Sequence, residues 1–212
     1  MSPNFREEKK LSKKGYKFII GIDEVGRGPL AGPVVACAFC FDFGTKPGFL
    51  KEARLLSSIR DSKQLSHKKR EEIYKLLKKD SNIEWGIGRA YPQMIDEINI
   101  LQATKLAMKR AVINLKKKIK THNREFLLID GNFGIDISIP QKSIIKGDQK
   151  VLSISAASII AKVTRDRLMV NYHKKYPQYC FDKHKGYGSQ LHRDLIKKHG
   201  RCSLHRQTFH LK

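Results

Sequence analysis

FIIGIDEVGRGPLAGPVVACAFCF, residues 18–41, holds two apolar runs separated by an acidic pair and a loop built on glycine and proline. Phe18 to Ile22 has the length and character of a central strand, and Pro33 to Phe41 is a second strand; the turn-forming residues between them predict a hairpin-like pair. Asp23-Glu24 follows the first run directly, so at least one carboxylate stands at a strand end and its neighbour reaches the same region as the backbone turns. Gly26-Arg27-Gly28-Pro29-Leu30-Ala31 satisfies the relaxed G-x-G-x-x-A fingerprint of dinucleotide loops. That fingerprint must open a helix, and Gly32-Pro33 followed by a β-type run forbids one, which rules out a nucleotide cofactor. What remains is a plain tight turn, or a loop whose backbone can come very close to a ligand beside the acidic pair.

Downstream, strand and helix patterns alternate. Ser66 can cap a helix running through Lys79, and Glu84 to Ala90 offers a third strand before Tyr91-Pro92. Ile100, Ala103, Ala107, Ala111 and Leu115 recur at helical spacing to about Ile119. Phe126 to Ile129 is a compact strand that runs into Asp130-Gly131, and Ser143 to Ile145 is another that runs into Lys146-Gly147-Asp148. From Ser153 a small and apolar pattern predicts a tightly packed helix, with a basic helical region from about residue 165 to the C-terminus. The order describes an α/β layered domain, in which ligand sites gather at strand ends. Residues 1–16 carry charges without apolar periodicity and read as a basic, flexible tail, leaving 17–212 as a single domain.

Lysine and arginine number 43 against 20 acidic residues, a net charge of +23. A polyanion is the expected partner, although solubility charge and attraction to anionic membranes give the same count. No stretch approaches the roughly 18 uncharged apolar residues of a membrane span, and the polar Met1 to Lys14 lacks a secretory signal, so a cytoplasmic protein is expected. Cys37 and Cys40 form a C-x-x-C that Cys202 and His205 could complete on paper as a zinc site. In a buried strand, however, residues three apart point to opposite faces and do not share a metal.

Asp23, Glu24, Asp130 and Asp148 are four acids at strand ends in a chain otherwise short of negative charge. Each alone could be a cap, a turn residue or a partner for one of the many lysines. Convergent carboxylates repel unless neutralised, and hard cations such as Mg2+ or Mn2+, held as a pair about 4 Å apart, would make the four a phosphodiester-hydrolysis site. Glu7, Glu8, Glu71 and Glu72 lie in charged contexts and read as solvated positions.

Gly21 to Pro33 strongly resembles the signature of type 2 ribonuclease H, specifically ribonuclease HII. Asp61-Ser62-Lys63-Gln64-Leu65, Asn99 to Thr104, Asp130-Gly131, Lys146-Gly147-Asp148, the Ala156 to Asp166 helix and Lys185-Gly186-Tyr187-Gly188 follow in the family's order, from about residue 18 to 209. The resemblance implies a ribonuclease H-like fold: a five-stranded mixed sheet flanked by helices, with a helical C-terminal segment. It implies a catalytic and metal-binding set of Asp23, Glu24, Asp130 and Asp148, with two Mg2+ or Mn2+ ions when substrate is bound. Gly26, Arg27, Gly28 and Tyr187 would read a ribose 2′-hydroxyl, the group by which RNA is told from DNA, and Lys63 would hold a phosphate. The implied substrates are RNA/DNA hybrids and duplex DNA with a single embedded ribonucleotide, cut on its 5′ side to leave 3′-hydroxyl and 5′-phosphate ends, and a monomer is expected. Ser189 stands where the family usually has Thr, and Thr208 where Ser is common; both keep a hydroxyl. The sister ribonuclease HIII, which lacks the Arg of Gly-Arg-Gly, and a non-catalytic RNA-binding protein are the competing readings.

Overall fold

A computed structural model of the chain describes residues 3–42, 59, 65–80, 82–119 and 124–211. The two apolar runs form β1 (Phe18–Val25) and β2 (Val34–Asp42), paired antiparallel with Ile22 opposite Ala38. β3 (Ile83–Ala90) joins the far side of β2 antiparallel, while β4 (Glu125–Asp130) and β5 (Gln141–Ile144) extend the other side of β1 in parallel. The sheet is thus mixed and five-stranded, in the order β3-β2-β1-β4-β5. It is flanked by helices, and the C-terminal part is helical, as expected from the sequence.

The helices are α1 (Arg6–Ser12), α2 (His67–Lys79), α3 (Pro92–Ile119), α4 (Leu152–Lys175), α5 (Phe181–His184) and α6 (Gln190–His199). Strand alternation sorts the core into two layers. Ile20, Ile22, Ala36 and Cys40 pack with Ala103, Ala107 and Ala111 of α3, whereas Cys37, Phe39 and Phe41 pack with α2 and α4. Cys37 and Cys40 therefore lie on opposite faces of the sheet, each buried and unoxidised. Gly21 explains how α4 comes so near the strand: a Cβ there would stand 2.2 Å from the backbone carbon of Ser153. The first turn of α4 consequently lies directly on β1 at Gly21. Among the described residues no helix is long and apolar enough to cross a membrane.

Two segments differ from the sequence-based expectations: the helix already begins at Pro92, ahead of the pattern read from Ile100, and the N-terminal stretch is not a free tail. Asn99 interrupts α3 with φ 64° and ψ 165°, and its Oδ1 accepts from the amides of Leu101 (3.0 Å) and Gln102 (3.1 Å), capping the second half of the helix. The N-terminal stretch, expected as a flexible tail, is docked on the body. Asn4 bridges to Val151, and the buried Glu8, expected to be solvated, accepts from the Ser153 amide at 2.9 Å. The reason lies in α4, whose N-cap residue is Val151 and offers no side-chain acceptor. A helix start needs partners for its first amides and favours negative charge, and Glu8 supplies both from another element.

Candidate active site

The parallel register sets Ile22 beside Ile129, so the next residue of each strand, Asp23 and Asp130, stand side by side where the β1–β4 pairing ends. A cavity of about 330 Å³ opens there, lined by Asp23, Glu24 and Asp130. Ser158 and Lys162 of α4, Arg70 of α2 and Tyr187 complete much of its wall. Asp23 is nearly buried and also accepts from the Glu24 amide at 2.7 Å. Burial first, then the charges of Glu24 and Asp130, hold the Asp23 carboxyl well above the usual aspartate range, with a hydrogen bond from Ser158 acting the other way. Glu24 is also raised, by burial and by Asp130, against the opposing pull of the Arg27 guanidinium 3.5 Å away.

Asp148 is placed differently. It is buried on a short 3-10 turn, Gly147–Gln149, rather than on the cavity wall, and the Gly147 amide ties that turn to Asp130 Oδ1 at 2.6 Å. Among the described residues no three acidic, histidine or cysteine side chains form a preformed metal cluster. The donor chemistry nevertheless suits a hard cation: the cavity carries three carboxylates and neither thiol nor imidazole, and their mutual repulsion is what a divalent ion relieves. Cations of this type keep several waters and take substrate oxygens, so a closed protein cage is not required.

That repulsion is measurable. With a chelator present, Asp23→Asn is expected to melt higher than wild type above pH 7, at about 2–4 °C per kcal/mol relieved for a chain of this size. The sign follows from the raised carboxyl: its penalty is absent below the unfolded value of about 4 and is complete once pH exceeds the folded value. Thermal unfolding followed from pH 4 to 8 should show the gap closing on acidification. A variant less stable than wild type at every pH contradicts the picture.

The glycine loop is held from behind by two buried arginines. Arg165 of α4 donates to the carbonyls of Pro33 (2.9 Å), Ala31 (3.1 Å) and Lys185 (2.9 Å). Arg206 donates to those of Arg27 (2.7 Å), Gly32 (2.9 Å) and Gly26. Gly26, at φ +94°, lies so close that a Cβ would stand 2.2 Å from Arg165 Nε, while a Cβ on Gly28 would meet nothing within 4 Å. The same loop reaches the tyrosine segment, the amides of Leu30 and Ala31 both donating to the Gly186 carbonyl. Tyr187 is 42% exposed, and its ring lies 5.7 Å from Lys162 Nζ and 5.6 Å from the Arg165 guanidinium, an arrangement that favours one ring position.

The structure thus gathers Asp23, Glu24, Asp130 and Tyr187 on one cavity and places Gly26, Arg27 and Gly28 in the adjoining loop, while Lys63 lies outside the described residues. Arg70, Ser158, Lys162, Arg165 and Arg206 were not singled out from sequence. Ser158 and Lys162 share a helical face by their spacing of four, which was the available signal for those two. Ser189 and Thr208 use their hydroxyls structurally, Ser189 capping α6 and Thr208 donating to Asp96 at 2.6 Å.

Fold and site together define a ribonuclease H-like α/β protein with a carboxylate-lined pocket. Solved structures share the fold: ribonuclease H2 from Pyrococcus horikoshii OT3 at a TM-score of 0.67 and 26% identity, covering 92% of this chain and 94% of that one, and Bst-RNase HIII in complex with Mn2+ at 0.72 and 20%, covering 94% and 69%. The family model for Ribonuclease HII matches residues 20–212. Ribonuclease HII of Caldanaerobacter subterraneus subsp. tengcongensis is 48% identical over 202 residues, 95% of this chain and 78% of that protein. The chain belongs to the ribonuclease HII family and is a metal-dependent ribonuclease.

Proposed function

We propose that the protein hydrolyses the RNA strand of RNA/DNA hybrids and incises duplex DNA on the 5′ side of a single embedded ribonucleotide. The observation that carries this reading is the cavity in which Asp23, Glu24 and Asp130 meet beside Tyr187. Asp23, Glu24 and Asp130, with Asp148 from the adjoining turn, would hold Mg2+ or Mn2+, and the Mn2+ in the Bst-RNase HIII structure supports that choice on the same fold. Bound cations supply Lewis-acid polarisation of a water and of the scissile phosphate. The chain's own part is positioning. Asp130 aligns with Asp23 through strand register, Ser158 orients Asp23 from α4, and Arg27 steadies Glu24.

Discrimination falls to the loop and the tyrosine. Gly28 leaves open space for a close backbone approach, and a phenol or backbone amide can bond a 2′-hydroxyl, which DNA lacks. Lys162 and the net charge of +23 favour the phosphate backbone without reading sequence, so affinity should fall as salt rises. Hydrolysis by water leaves 3′-hydroxyl and 5′-phosphate ends. Mass spectrometry of the fragments tests this directly: a 2′,3′-cyclic phosphate would mean that the RNA's own hydroxyl attacks, and the mechanism would be wrong.

A further inference from the structure

Behind Tyr187 lie three histidines that the proposed chemistry does not use. His184 and His192 stack with ring centroids 4.2 Å apart, and His192 Nε2 meets His205 Nε2 at 3.1 Å. Phe181 packs its ring against all three, and Tyr179 edges against His205. His192 and His205 are buried.

Their partners fix where every proton sits. A carbonyl only accepts, so His192 Nδ1, 2.9 Å from the Tyr187 carbonyl, carries a proton, and so does His184 Nε2, 2.8 Å from the Tyr179 carbonyl. An amide only donates, so His205 Nδ1 is bare where it accepts from Cys202 (2.9 Å), and His184 Nδ1 is bare where it accepts from Gly186 (3.1 Å). Neutral His205 then carries its proton on Nε2 and donates to the bare Nε2 of His192. All six ring nitrogens are satisfied by one tautomer set with no imidazolium. Protonating His192 or His205 would set two N–H groups against each other or against the Cys202 amide; protonating His184 would do so against the Gly186 amide. The charged groups acting on the rings are Asp182 and Lys185 on His184 and Arg201 on His205. Burial, with the neighbouring rings, keeps His192 and His205 neutral far below pH 7, each lowered to about 4.

We infer that His205 and His192 form a proton-ordered chain, from the Cys202 amide to the Tyr187 carbonyl, that positions Tyr187 for recognition of the ribose. They are positioning residues: neither lines the cavity, and both act through the backbone of the residue that does. The chain also joins the C-terminal segment to the glycine loop, since His205 bridges to Ala31. The inference rests on the reading of Tyr187 given above.

Two measurements test it. Imidazole 15N NMR of the wild-type protein should show His192 as the Nδ1–H tautomer and His184 and His205 as Nε2–H at neutral pH, with His192 and His205 still neutral at about pH 5. An imidazolium at pH 7 or the opposite tautomers overturn the inference. The second compares kcat and KM on a duplex with one ribonucleotide and on a continuous hybrid. His192→Phe keeps the ring and loses both bonds, and should lower kcat on the single-ribonucleotide duplex by roughly tenfold to a hundredfold with a smaller loss on the continuous hybrid. His192→Asn, which retains a donor for the Tyr187 carbonyl, should recover most of it. Equal losses on both substrates mean a merely structural role and overturn the inference. Tyr187→Phe separates the two claims: discrimination lost there but kept in His192→Phe overturns the inference alone, and discrimination unchanged in Tyr187→Phe overturns the reading of Tyr187 and the inference with it.

Discussion

Asp130→Asn is expected to lose about three orders of magnitude in kcat for hybrid cleavage, the loss of several kcal/mol of charge stabilisation at the scissile phosphate, while folding and duplex affinity persist. Asp130 ends β4 beside Asp23 and accepts from the Gly147 amide at 2.6 Å. An asparagine oxygen keeps that bond, so the turn bearing Asp148 stays in place and only the charge is removed. Single-turnover cleavage in Mg2+ and gel-shift binding in a chelator separate the two effects. Activity within tenfold of wild type would remove Asp130 from the proposed site.

The second large effect is on stability. Arg206→Met removes the donors for the carbonyls of Gly26, Arg27 and Gly32, all in the loop beside the acidic pair. Buried acceptors left without partners cost about 1–3 kcal/mol each. Allowing for water entry, the loss should be roughly 3–5 kcal/mol, a fall in Tm of about 10 °C. Arg206→Lys should not restore it, because an ammonium cannot span three carbonyls as a planar guanidinium does. Melting within about 2 °C of wild type would show that the loop holds itself.

These two residues illustrate what the sequence discloses. β1, β2 and Asp130 were legible because apolar runs mark strands locally, although β1 continues through Asp23 and Glu24 to Val25 instead of ending at Ile22. α2 was legible down to its cap, Ser66 accepting from the Lys69 amide as the pattern predicts. Arg206 and Arg165 were not, since a lone arginine in a basic chain carries no mark of burial. Their burial is set by carbonyls that only the folded glycine loop presents. Glu8 was misread for the same reason: the amide it caps is contributed by α4, 145 residues later in the chain. The pattern read from Ile100 onward starts where Asn99 caps it, and the helical residues from Pro92 to Ile98 were missed because they lie on the far side of that break. The histidine chain depends on backbone groups of four separate residues, which no spacing in the sequence records.

The most direct test of the central claim is incubation of duplex DNA bearing one ribonucleotide with the protein in Mg2+, in Mn2+ and in EDTA, with the cut mapped to the nucleotide. A metal-dependent incision on the 5′ side of the ribonucleotide is the expected result. A duplex that is bound but uncut in either metal, or cutting confined to longer runs of RNA, would contradict it.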